Sequence, residues 1–91
     1  MSATVRIPTI LRTYTNGATE VTVEASTLHD AIADLDRQYP GISARVLDDS
    51  GALRRFVNVY VNDDDVRFLD GLRTPIADGA GISIIPAVAG G

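Results

Sequence analysis

The sequence predicts an α+β domain of two layers, a mixed sheet packed on one main helix. Three observations carry that expectation. Short stretches with strand character recur along the chain, "ATVRI", "EVTVEA", "FVNVYVN", "VRF" and "ISIIP". A single longer stretch, Leu28 to Leu35, repeats its apolar residues at helical spacing. Turn-forming residues separate these segments, in "TNGAT", "QYPG", "DDSGA" and "LDGLRTPIADGAG". A lone amphipathic helix must bury its stripe, and a sheet face is the surface that can cover it.

In chain order, Val5 and Ile7 fall on one side of the first strand and Thr4 and Arg6 on the other, and Pro8 closes it. Val21 and Val23 repeat the alternation after the Asn16-Gly17 turn signal, so the first two strands read as a hairpin. Ser26 or Thr27 caps the helix. Its inner stripe is Leu28, Ala31, Ile32 and Leu35, with Asp30, Asp34 and Asp36 facing away, and it ends near Pro40 and Gly41. "ISARVL" adds a short helical turn with Ile42, Val46 and Leu47 inward. In "FVNVYVN" the valines Val57, Val59 and Val61 face the core, and Phe56, Asn58, Tyr60 and Asn62 face away. "DDD" is expected to turn and "VRF" to return as a strand. The last strand sets Ile82 and Ile84 against Ser83 and Ile85, and Pro86 ends it.

One arrangement of this β-β-α-β-β-β order is the β-grasp, or ubiquitin-like, fold, in which the first and last strands lie side by side and parallel at the centre. On this reading residues 1–86 are the domain and residues 87–91 a flexible C-terminal Gly-Gly tail. The length of 91 residues suits one domain, and a hydrophobic fraction of 45% suffices for one core.

Composition removes several function classes. The absence of cysteine excludes disulfides, thiolate metal sites and thiol nucleophiles. A formal charge of −4 opposes binding to nucleic acid or anionic lipid. No apolar run is long enough to span a bilayer as a helix, and the start of the chain lacks the pattern of a secretory signal, so a soluble cytoplasmic protein is expected. Every basic side chain is arginine, so the chain offers no side-chain amine to accept an isopeptide bond.

Few residues invite chemistry of their own. His29 is the only histidine and has no partner nucleophile in the sequence, so a solvent-facing or capping role is expected. Ser43 and Ser83 lie outside any Gly-x-Ser-x-Gly elbow, and the Gly79 to Gly81 stretch precedes a strand rather than a helix. The Asn62 to Asp65 run lacks the glycine and distant glutamate of a calcium loop and reads as a solvated turn. No catalytic residue and no metal ligand are expected.

The "AVAGG" tail after "IIP", the "VNDDDVRF" hairpin, the "IADG" turn and the opening "IPTILR" resemble the ubiquitin-like sulfur carriers. The likeness extends over essentially the whole chain and is greatest to the actinobacterial cysteine-biosynthesis branch. The molybdopterin-synthase small subunit is a more distant likeness, and the "RTYTNGATE" and "LDDSGALRR" loops depart from the pattern. The resemblance implies that the Gly91 carboxylate is adenylated by an E1-like adenylyltransferase/sulfurtransferase using ATP, then converted to a thiocarboxylate. It further implies that this sulfur attacks an aminoacrylate on a PLP-dependent cysteine synthase, and that a zinc metallopeptidase releases cysteine and restores Gly91. The carrier would bind no cofactor and act as a co-substrate rather than an enzyme.

Such chemistry requires the tail to enter another protein as extended chain. Gly90 and Gly91, lacking Cβ, suit a narrow passage, while Ala87, Val88 and Ala89 supply small contacts and backbone pairing. Phe56, Tyr60 and Ile85 lie on the face opposite the valines, as a candidate docking patch for a partner or as simple cover of the sheet. A molybdopterin-synthase subunit, a ubiquitin-like protein modifier and a non-covalent interaction module stand as alternatives to the cysteine-pathway carrier. A free Gly-Gly end argues against the last.

Overall fold

The computed structural model describes residues 1–86, and they form the two layers expected. Strands β1 (Ser2–Arg6) and β2 (Glu20–Glu24) precede the main helix α1 (Leu28–Gln38) and a single helical turn α2 (Ser43–Val46). Strands β3 (Val57–Val61), β4 (Asp64–Asp65) and β5 (Ala80–Pro86) complete the chain order. The sheet runs β2-β1-β5-β3-β4. β1 and β5 are parallel at its centre, with Val5 opposite Ile82, and the remaining pairs are antiparallel. This is the β-grasp topology.

Alternation decides which face is covered. Ala3, Val5, Val21, Val23, Val57, Val59, Val61, Ile82 and Ile84 are all buried, in one core with Leu28, Ala31, Ile32 and Leu35 of α1. Successive strand residues point to opposite faces, so the same strands turn Thr4, Arg6, Thr22, Tyr60 and Ser83 away from the helix. Ile42 and Val46 add the inner side of α2, as the sequence predicts, while Leu47 is half-buried and bridges to Leu53.

The helix start is set by Thr27, whose Oγ1 accepts from the Asp30 N–H at 3.2 Å. Its aspartates do more than face water. Asp34 accepts from the Glu24 N–H on β2 at 3.0 Å, and Gln38 Nε2 donates to the Thr22 carbonyl at 2.9 Å. The donated Glu24 N–H first, then the Arg37 guanidinium, hold the Asp34 carboxyl below its ordinary range. Asp36 accepts from the Gly41 and Ser43 N–H groups, which fixes the turn beyond the helix and likewise lowers its pKa, chiefly through Ser43. Gly41 itself sits at φ 101°, where a side chain would be strained.

Two expectations need correction. The turn after β3 is made by Asn62 and Asp63, with Asn62 at φ 57°, and Asp64–Asp65 is itself the return strand. "VRF" is no strand: Val66–Phe68 is a 3-10 turn whose start is capped by Asp65 Oδ1 accepting from the Arg67 N–H. The reason is competition for Val66, which is fully buried. A tight turn drives it inward after only two ladder residues, and Arg67 then takes over along β3, donating from Nη2 to the Val57 carbonyl at 2.7 Å and the Arg54 carbonyl at 2.9 Å. The first hairpin is a real antiparallel pair, but its connection is longer than an Asn-Gly turn. It holds a 3-10 turn at Thr9–Leu11, buried Leu11, and Thr15, whose buried hydroxyl donates to the Ala18 carbonyl.

Candidate functional site

Strand β5 delivers the chain to the tail. Its final described residue, Pro86, stands opposite Val57 at the start of β3. Gly91, Gly90, Ala89, Val88 and Ala87, the residues expected to carry sulfur and to be recognised, lie outside the described residues.

The other three candidates lie on β5, on β3 and just before β3. Ile85 is opposite Asn58 and points away from the helix, 49% exposed. Tyr60 is half-buried, flanked by Ser83 on β5 and Asp65 on β4. Phe56 lies just before β3 and is 53% exposed. In this register Ile85 is diagonal to Tyr60 across the sheet, within reach of a large side chain. The structure thus brings Tyr60 and Ile85 onto one face, with Phe56 beside the root of the tail.

Sequence reasoning missed part of this surface. Phe68 is 86% exposed and its neighbour Leu69 is also exposed, on the turn that Arg67 fastens to β3. The signal was present: Phe68 and Leu69 are consecutive, so no alternation buries both. Also missed was a concavity of about 350 Å³ lined by Asp48, Arg54, Arg55, Phe56, Val57 and Pro86. The Arg55 guanidinium lies 5.8 Å from the centroid of the Phe56 ring, and Arg54 Nε donates to the Ala44 carbonyl at 3.0 Å. Asp48 Oδ1 accepts from the Ser50 hydroxyl, the Ser50 N–H and the Ala52 N–H. Those bonds, led by the hydroxyl, hold its carboxyl below the ordinary range, with Arg54 a lesser contributor.

His29 is exposed on the first turn of α1, 3.7 Å from Asp30. Ser43 starts α2, and Ser83 pairs between Arg6 and Tyr60. Among the described residues no group of three or more His, Asp or Glu side chains is positioned to hold a metal ion. No helix among them is long and apolar enough to cross a membrane.

A β-grasp sheet on one helix, with its last strand ending beside an exposed face, defines a ubiquitin-like protein. The chain belongs to the ThiS family, whose profile matches residues 5–91. It is 56% identical over 93 aligned positions to the sulfur carrier protein CysO of Mycobacterium tuberculosis, with both chains covered in full. The crystal structure of M. tuberculosis CysO gives a TM-score of 0.90 at 55% identity, covering 94% of this chain and 99% of that one. A chain of the BexX/CysO complex from Amycolatopsis orientalis gives 0.92 at 48% identity, over 98% and 99% of the two chains. Small archaeal modifier protein 3 of Haloferax volcanii is 38% identical over 66 residues, covering 72% of this chain and 71% of its own.

Proposed function

We propose that this protein is a sulfur carrier whose Gly91 carboxylate is converted to a thiocarboxylate and spent in cysteine synthesis. The observation that carries the reading is the family match running through to residue 91, so that it includes Gly90 and Gly91, together with full-length similarity to sulfur carrier protein CysO. A carboxylate is a poor electrophile because displacement would expel oxide. Attack of the Gly91 carboxylate on the α-phosphorus of ATP gives an acyl adenylate and pyrophosphate. A sulfur donor then displaces AMP and leaves the C-terminal thiocarboxylate, a soft anionic nucleophile.

The chain supplies the scaffold for these steps and none of the acids or bases. An E1-like adenylyltransferase/sulfurtransferase carries out the activation. A PLP-dependent synthase provides the electrophilic acceptor, to which sulfur bonds while still joined to the Gly91 carbonyl. An acyl shift from sulfur to the new amino group leaves cysteine in peptide linkage, and a zinc metallopeptidase hydrolyses it and regenerates Gly91. Ala87, Val88, Ala89 and Gly90 pass through the partner's active site as extended chain, and Phe56, Tyr60 and Ile85 meet its surface. All of these steps belong to the cytoplasm, where thiols and ATP are at hand.

Intact-mass measurement of the protein from its native host tests the proposal. The expected species carries one sulfur in place of one oxygen at the C-terminus, and a chain lacking residues 87–91 carries none while melting as the full chain does. An unmodified mass under sulfur-replete growth overturns it. A protein-modifier role is the second reading, favoured by the similarity to small archaeal modifier protein 3. Conjugates joined to lysines of other proteins through Gly91 would distinguish it.

A further inference from the structure

We infer that the concavity at the root of the tail is a receptor for an acidic side chain on the enzyme that takes up the tail, with Arg55 as its principal contact. The inference rests on the carrier reading above, and it identifies what that enzyme must present beside the opening of its channel.

The local charge is the first ground. The chain is acidic overall, at −4, yet two successive arginines, Arg54 and Arg55, wall this one concavity where the chain leaves the sheet at Pro86. The only carboxylate in the lining, Asp48, has Oδ1 occupied by three donors from its own loop. Among the described residues neither arginine forms an ion pair within 4 Å, and Arg55 donates no hydrogen bond. With two arginines against one carboxylate, the described lining keeps a net positive charge, and the charge of Asp48 acts on Arg54.

Geometry is the second ground. The Arg55 guanidinium carbon is 5.8 Å from the centroid of the Phe56 ring, within cation–π range, and its N–H groups are left to a planar acceptor. A carboxylate matches a guanidinium edge with two parallel hydrogen bonds. The volume, about 350 Å³, suits one or two side chains. Phe56, Val57 and Pro86 give it an apolar wall beside the two arginines.

The nucleotide of the activated tail is a poorer occupant. Five extended residues beyond Pro86 carry the terminal carboxyl as far as roughly 17 Å from the concavity, so the phosphate formed there lies well away from Arg55. The lip of the enclosing enzyme, by contrast, must pass next to Pro86.

The test follows sulfur loading by intact mass, with ATP, a sulfide source and the adenylating enzyme of the native host, as a function of carrier concentration. Arg55→Glu is expected to raise the half-saturating concentration by about tenfold or more, acting there rather than on the maximal rate, since reversing a rim charge opposes encounter with an acid. Arg55→Gln should give a smaller rise, and added salt should narrow the gap between unmodified and variant carriers. Unchanged melting of both variants confirms that they are folded. A half-saturating concentration equal to the unmodified value overturns the inference. A lower one also overturns it, because the site would then hold the chain's own C-terminal carboxylate as a latch. If the unmodified carrier takes up no sulfur, it is the carrier reading that fails, and this inference falls with it.

Discussion

The two faces of the sheet are built from the same strands and share almost nothing in chemistry. The inner face is nearly uniform, valine and isoleucine closed over by α1, with Val59 and Leu35 fully buried. The outer face is graded across its width. Towards β2 it is a ladder of threonine and charge, Thr22 opposite Thr4 and Glu20 opposite Arg6, the latter pair 3.9 Å apart and largely exposed. Towards β3 it carries Tyr60, Ile85 and the adjoining Phe56, beside the place where the tail departs. Burial needs one property from every inner residue, whereas recognition needs particular residues in one quarter of the outer face.

The largest effect should come from breaking the inner face. Leu35→Ala opens space between α1 and the sheet and is expected to destabilise the fold by about 3 kcal/mol, read from urea unfolding. A loss below about 1 kcal/mol would mean that the helix does not close this face as tightly as its burial indicates.

Next in size is a change on the outer face, on β3. Tyr60→Asp is expected to weaken binding of the activating enzyme by about 2 kcal/mol in a calorimetric titration, because a carboxylate would be buried without a partner. Asp65 stands opposite Tyr60, so two like charges would also face each other, at a cost to stability of up to about 1 kcal/mol. Unchanged affinity would reduce the outer face to plain cover for the sheet.

Thr27→Ala tests a contribution that belongs to neither face. It removes the acceptor for the Asp30 N–H and should cost about 1 kcal/mol in thermal or urea unfolding, with no effect on partner binding.

Acid should produce the smallest effect. Asp34, Asp36 and Asp48 have folded-state pKa values held below their ordinary range by donated hydrogen bonds. Between the folded and unfolded values the unfolded chain binds more protons, so this stabilisation is complete above the unfolded value of about 3.9 and is lost as the pH falls through the folded values. Unfolding midpoints measured from pH 7 downward should therefore hold until about pH 5 and then decline. A decline beginning near neutrality would point to a group other than these three.

Most of the fold was legible because burial imposes a period. Val57, Val59 and Val61 announce a strand and its inner face together, and Leu28 to Leu35 announce the helix that covers it. What escaped was decided by contacts that no period records. Asp64 and Asp65 read as turn residues because acids are uncommon in strands, yet their pairing with Val61 and Tyr60 is set by Asn62 reversing the chain one residue earlier. Phe68 read as part of a strand until burial of Val66 bent the backbone. The candidate site divides in the same way. Tyr60 and Ile85 could be placed from alternation and strand order, whereas Phe56 falls in the turn before β3, and the concavity needed Asp48, Arg54 and Pro86 brought together from three separate segments.

The side chains laid along the two margins of the sheet have a consequence for the protein at high concentration. A free strand edge invites pairing with the edge of another molecule, and repeated pairing leads to fibres. Here the outer edge of β2 meets Asp34 and Gln38 of α1 instead, and the Val57 carbonyl beyond the two-residue β4 is taken by Arg67. With both edges engaged by its own polar side chains, the protein should resist self-assembly through its sheet even when crowded, and replacing Arg67 or Asp34 with alanine should promote aggregation at concentrations where the parent stays dispersed.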